Sequence, residues 1–253
     1  MKGPRTGGTG AAVTPGAAPR VREGLRAADN PFTVIFIDPL AVPLVRWLAR
    51  RPRVRPNHVT LAGLALGLLA GPLYAWGEAA WGNPWPGAVA FYLALLADCV
   101  DGKLAHFTGR TSAAGKRLEN LADRGRVLSA WLGFWMLAAL RGDLWLAAAA
   151  GGYALVPAVR ALDRRRRGPQ APDPGRWLQA RLRVPEALRR RRIGVWYGSW
   201  DRAALCFAVA PWLDDGAGPL ALAAVLLDAL QYAAGAWWMR RAGRDAWAGA
   251  VRG

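Results

Sequence analysis

The stretch LLADCVDGKLAHFTGRTSAAGKRLENLADRGR, residues 95–126, starts inside one apolar run and ends at the start of the next, yet it carries carboxylates at Asp98, Asp101, Glu119 and Asp123. The runs on either side, 86–97 and 127–140, are almost free of charge, and so are 59–76, 144–162, 203–213 and 219–239. These are membrane-span lengths or slightly less. A soluble helical protein would alternate polar and apolar residues with period 3.6 to leave a solvated face. These runs show no such face. More than half of the 253 residues are apolar although the formal net charge is +17, so the charge has to be gathered between the runs.

Where it gathers fixes an orientation, because Lys and Arg crowd cytoplasmic loops. Residues 77–87 and 214–219 contain neither, and the turn at 140–144 holds only Arg141, which places these three outside. Residues 46–55, 103–116, 164–192 and 240–252 are rich in basic residues and belong inside. The sequence therefore predicts an all-α integral membrane protein of six transmembrane helices, preceded by an amphipathic juxtamembrane helix, with N and C termini cytoplasmic. Trp76, Trp81, Trp85, Trp145 and Trp212 fall at external ends and Trp196, Trp200, Trp237 and Trp238 near internal ones, as interfacial belts do. The basic residues read as topology and attraction to anionic lipids rather than as a nucleic-acid surface. Cys99 and Cys206 lie in apolar segments and read as small buried hydrophobes, not a disulfide.

Along the chain, residues 1–30 are rich in Gly, Pro, Ala and Thr and are expected to be disordered. In the amphipathic region 31–55, Leu40, Leu44, Trp47 and Leu48 recur at helical spacing beside Arg46, Arg50 and Arg51, a pattern for a helix on the inner leaflet. A six-helix catalytic domain is expected over 56–241 and a cytoplasmic tail over 242–253. Pro56 ends the preceding helix and Asn57 reads as the N-cap of the first span. Gly63, Gly67 and Gly71 give that span a face for close approach.

Asp98 and Asp101, three apart, share one helix face; Glu119 and Asp123, four apart, share another. Gly109 and the Thr111-Ser112 pair suit a short turn between two antiparallel helices, bringing all four acids to the cytoplasmic end. Such a cluster demands a cation, and its all-oxygen character favours Mg²⁺ or Mn²⁺. Pairing of the acids with Lys103, Lys116, Arg117, Arg124 and Arg126 is the competing use. Gly102, Ala105 and Gly115 open space that ion pairs do not need and a ligand does.

At these residues the sequence resembles the CDP-alcohol phosphotransferases, marked by DxxDGxxAR, eight residues, then GxxxDxxxD. Asp98, Asp101, Gly102, Ala105, Gly115 and Asp123 match at unchanged spacing. His106 stands in place of the motif's Arg, and Glu119 in place of its third Asp. Asn57 and Thr60, before and in the first span, and the GSWDR at 198–202 are also similar to elements of that family. The resemblance implies a membrane enzyme that moves a substituted phosphoryl (phosphatidyl) group from a CDP-alcohol such as CDP-diacylglycerol to an alcohol or phosphorylated-alcohol acceptor, with release of CMP. It implies two divalent ions among Asp98, Asp101, Glu119 and Asp123, with Asp123 as general base. Asn57, Thr60, Gly102, Ala105, His106 and Gly115 would line the substrate site. Three other readings stay open: a Mg²⁺-dependent prenyltransferase, whose second acidic motif could only be Asp214-Asp215 on the wrong side; a transporter, which lacks a visible repeat; and a degenerate CDP-lipid-binding protein. The sequence leaves a homodimer open.

Overall fold

The computed structural model describes residues 29–168, 173–174, 178, 185–194 and 197–242. Their regular elements are helical, apart from an isolated parallel bridge between Asp29 and Ile193. A π-helical turn, Thr33–Ile37, runs into α1, Asp38–Ala49. Then come α2 (Pro56–Trp81), α3 (Trp85–Thr108), α4 (Ala113–Arg141) and α5 (Leu144–Arg167), joined by short turns. A short α6 (Glu186–Arg190) precedes α7 (Ser199–Ala203), which continues as π-helix over Ala204–Val209 and as a 3-10 turn over Ala210–Trp212. A further 3-10 turn, Asp214–Gly216, leads into α8, Ala217–Ala242.

Three stretches, Pro56–Trp81, Leu144–Arg167 and Asp214–Arg241, are long and apolar enough to cross a membrane. The apolar runs at 86–97 and 127–140 form the parts of α3 and α4 remote from the acids, and 203–213 forms the continuation of α7. Of the segment expected to be disordered, only Asp29 and Asn30 are among the described residues; the tail from residue 243 and much of the Arg-rich 164–192 segment lie outside them. Cys99 and Cys206 are both free thiols.

The turn between the acid-bearing helices follows its sequence closely. Gly109 closes α3 at φ +66°, a conformation that costs a residue with a Cβ. Ser112 caps α4, its hydroxyl accepting from the Gly115 N–H at 3.0 Å. The start of α2 departs from expectation. Arg55, not Asn57, is the cap residue, and Pro56 takes the first helical position, where a missing N–H is no loss and its fixed φ suits the helix. The Arg55 N–H is met by His58 Nδ1 at 3.4 Å. Asn57 lies inside the first turn.

α2 packs against both α3 and α4, whereas those two touch one another little. The glycine face makes this double contact fit. A Cβ on Gly63 would stand 2.9 Å from Ala97 Cβ on α3, while one on Gly67 would overlap Arg126 Cβ and one on Gly71 the Ser129 carbonyl, both on α4. Gly67→Val is therefore expected to destabilise the protein by about 1–3 kcal/mol, the usual cost of overpacking. A lowered thermal unfolding midpoint in detergent would register it, and an unchanged midpoint would contradict the packing.

Phe207 seats the π-helical continuation of α7, its ring 5.2 Å from Phe91, 5.1 Å from Phe134 and 4.7 Å from Tyr153, so that it ties α3, α4 and α5 together. Outward-facing Leu68, Leu128, Leu132, Leu155, Leu226 and Leu230 are substantially exposed, an apolar surface that lipid tolerates and water does not. Trp76, Trp81, Trp85 and Trp212 form a chain with successive ring centroids 4.6, 5.6 and 6.3 Å apart, at the end of the bundle opposite the acids.

Two polar knots fasten the periphery. Asp228 on α8, fully buried, holds Arg160 of α5 at 2.6 Å and Arg202 of α7, and Arg202 also lies 4.4 Å over the Tyr153 ring. Asp38 at the head of α1 pairs with Lys103 of α3 at 3.0 Å and with Arg192 at 3.1 Å. The expected apolar set of α1 divides: Leu44 and Leu48 are half-buried, while Leu40 and Trp47 stay exposed. The residues buried most deeply along this helix are Ala41 and Val45.

Candidate active site

One cavity of about 700 Å³ opens where the N-terminal turn of α2, the last three turns of α3 and the first turns of α4 converge. Asn57 and Thr60 reach it from α2; Asp98, Asp101, Gly102, Ala105 and His106 from α3; Gly115, Glu119 and Asp123 from α4. The structure thus brings together all ten residues that the sequence assigned to the site. Helical phase explains it, since spacings of three and four keep each acidic pair on one face.

The carboxylates are held differently. Asp101, only 3% exposed, accepts the Thr60 hydroxyl on Oδ2 at 2.5 Å, while its Oδ1 is buried with no hydrogen-bond partner. Asp98 and Asp123 are both paired with the Arg126 guanidinium. Glu119 pairs with Lys116 at 2.6 Å. The ion pairs weighed against a ligand site therefore exist for Lys116 and Arg126, whereas Lys103 is directed to Asp38 instead. Among the described residues, no three of the acidic, histidine or cysteine side chains meet closely enough to hold an ion as they stand.

The small residues leave room in two ways. A Cβ on Gly102 would meet nothing within 4 Å, so the cavity reaches the α3 backbone there. A Cβ on Gly115 would come within 3.2 Å of Asn57 Oδ1, so glycine keeps that amide accessible. His106 sits in the last turn of α3 at the exposed mouth.

Several lining residues escaped the sequence reading. Asp29, Asn30 and Thr33 close one side, with Trp200 beside them. They are drawn in by pairing of Asp29 with the 192–194 segment and by Asp201, which accepts the Phe32 N–H at 3.0 Å and the Gly198 N–H at 2.8 Å. The GSWDR element thus anchors the N-terminal segment at the opening of α7. Arg126 carried a local signal, three residues from Asp123, but its second partner lies on another helix and leaves no trace in spacing.

Residues 53–176, which contain all ten of the residues assigned to the site, match the CDP-alcohol phosphatidyltransferase family. The chain is also similar to a phosphatidylinositol phosphate synthase of Streptomyces avermitilis, at 37% identity over 101 residues. That likeness covers 39% of this chain and 38% of the relative.

Proposed function

We propose that this protein transfers a phosphatidyl group from a CDP-alcohol, CDP-diacylglycerol foremost, to an alcohol acceptor in phospholipid synthesis, releasing CMP. The observation that carries the reading is the convergence of the ten residues of the motif and its flank on one cavity, inside the segment that matches the family. The name of the partial relative favours a phosphorylated inositol as acceptor.

A divalent cation fits the residues present. The donors are all hard oxygens, and the buried, unpartnered Oδ1 of Asp101 calls for a positive group. Asp101 and Glu119, with Asp98 and Asp123 beside them, are the residues to hold it. When bound, Mg²⁺ or Mn²⁺ supplies charge to the diphosphate and its leaving oxygen. Thr60 fixes the Asp101 carboxylate by its hydrogen bond. Gly102 and Ala105 admit the nucleotide against the α3 backbone, and the Asn57 amide, kept clear by Gly115, is available for its polar groups. Asp123 takes the proton of the acceptor hydroxyl as the new P–O bond forms and the bond to CMP breaks.

We read the six helical segments, α2, α3, α4, α5, the α7 continuation and α8, as six spans, with the acids at the cytoplasmic side and both termini there. The basic flanks and the tryptophan chain at the far end support that orientation. The exposed Ile35, Phe36, Leu40 and Trp47 suit an α1 lying in the inner leaflet.

The test is CMP release from purified protein supplied with CDP-diacylglycerol and, in turn, inositol phosphate, glycerol phosphate, inositol and serine. Release that depends on one acceptor is expected; none with any acceptor would remove the transferase reading. Engagement of Asp98 and Asp123 by Arg126 favours one alternative, a CDP-lipid-binding protein without turnover, which would bind the donor and release no CMP.

A further inference from the structure

Arg126 is the most confined charge in the site. Only 2% of it is exposed. Its Nη2 pairs with both Asp98 and Asp123, its Nη1 donates to the Ala94 carbonyl at 3.1 Å, and the guanidinium lies 5.5 Å from the Trp200 ring centre. On the other side, Gly67 leaves just enough space for its Cβ. An arginine keeps its charge at any working pH and meets carboxylates with a fixed fork of donors, so no change in protonation releases it.

The other half of the acidic set is not closed in this way. Lys116, the partner of Glu119, is 64% exposed, and such surface pairs are weak and readily exchanged. Asp101 has one buried oxygen with no partner. Thr60 cannot serve that oxygen while its hydroxyl is committed to Oδ2.

We propose that Arg126 is a built-in counter-cation that fills the place between Asp98 and Asp123, so that the protein takes one divalent ion, held from Asp101 and Glu119, rather than two. A divalent ion bound between Asp98 and Asp123 would stand in direct contact with a guanidinium that cannot lose its charge, and the repulsion would be large in so dry a site. Arg126 is thus a positioning residue: it fixes Asp98 and Asp123 and sets the ion count without touching substrate. The inference rests on the transferase reading of this cavity.

Mn²⁺ binding to the full-length protein in detergent, counted by equilibrium dialysis or by the electron paramagnetic resonance signal of free Mn²⁺, tests it without reference to turnover. One Mn²⁺ per wild-type chain is expected, two for Arg126→Ala, and one for Arg126→Lys, which keeps the cation. Glu119→Gln should weaken Mn²⁺ binding about tenfold or more, as loss of a ligand does, with Asp98→Asn affecting it far less. Two ions on the wild type, or one on a folded Arg126→Ala variant, would overturn the proposal. If Arg126→Ala does not fold, the wild-type count and the contrast between Glu119→Gln and Asp98→Asn still decide. CMP release measured on the same preparation separates the two readings. Two ions with turnover defeat only the counter-cation, whereas no bound ion and no turnover defeat the transferase as well.

Discussion

Asp123→Asn is expected to lower CMP release by about 10²- to 10⁴-fold, the usual cost of losing a positioned base, with the protein still folded. The side chain is 39% exposed and lines the cavity, so an acceptor hydroxyl can reach it. Asn has nearly the same shape and can accept a hydrogen bond, but it cannot take up the alcohol proton. Folding should survive because Arg126 keeps Asp98 as a partner, so no buried cation is left uncompensated. The check is a CMP-release assay beside a thermal unfolding curve. A rate close to wild type would defeat Asp123 as base and turn attention to a binding protein. A collapsed unfolding midpoint would instead show that both carboxylates are needed to hold Arg126.

What could be read from the sequence was what local periodicity encodes. The apolar runs mark the long helices because a segment without a polar face has nowhere to lie but in lipid or core. The acidic pairs at spacings of three and four fix two faces, and Gly109 with Ser112 fixes the turn that brings them together. The glycines at 63, 67 and 71 announce a close approach, although not that one stripe serves two neighbours. Features built between distant segments could not be read. Asp228 interrupts an apolar run with no local partner, since Arg160 and Arg202 lie 68 and 26 residues away. Asp29 and Asn30 sit at the edge of a Gly- and Pro-rich stretch, and only the pairing of Asp29 with Arg192 and Gly194 holds that edge on the cavity. Asn57 has the residue type of a cap because Ser, Thr, Asp and Asn dominate cap positions, but Pro56 at the first helical position moves the boundary upstream to Arg55.

Removal of divalent cations with EDTA is expected to lower CMP release by about 10³-fold or more, since metal stabilisation of phosphoryl transfer amounts to several kcal/mol and each 1.4 kcal/mol is a factor of ten. The site's own charges explain the dependence. Asp98, Asp101, Glu119 and Asp123 are answered within the cluster by Arg126 and Lys116 alone, two cations for four carboxylates, which disfavours an anionic diphosphate beside them. Without added positive charge the donor is repelled, and Asp101 Oδ1 stays buried and unsatisfied. Mg²⁺ or Mn²⁺ should restore the rate, because carboxylate and hydroxyl oxygens suit hard cations. Asp101→Asn should then raise the Mg²⁺ concentration needed for half-maximal rate, because it removes the one carboxylate that neither Arg126 nor Lys116 engages. Full turnover in excess chelator would show that Arg126 and Lys116 suffice as the site's cations, and the cavity would then have to work by positive side chains alone.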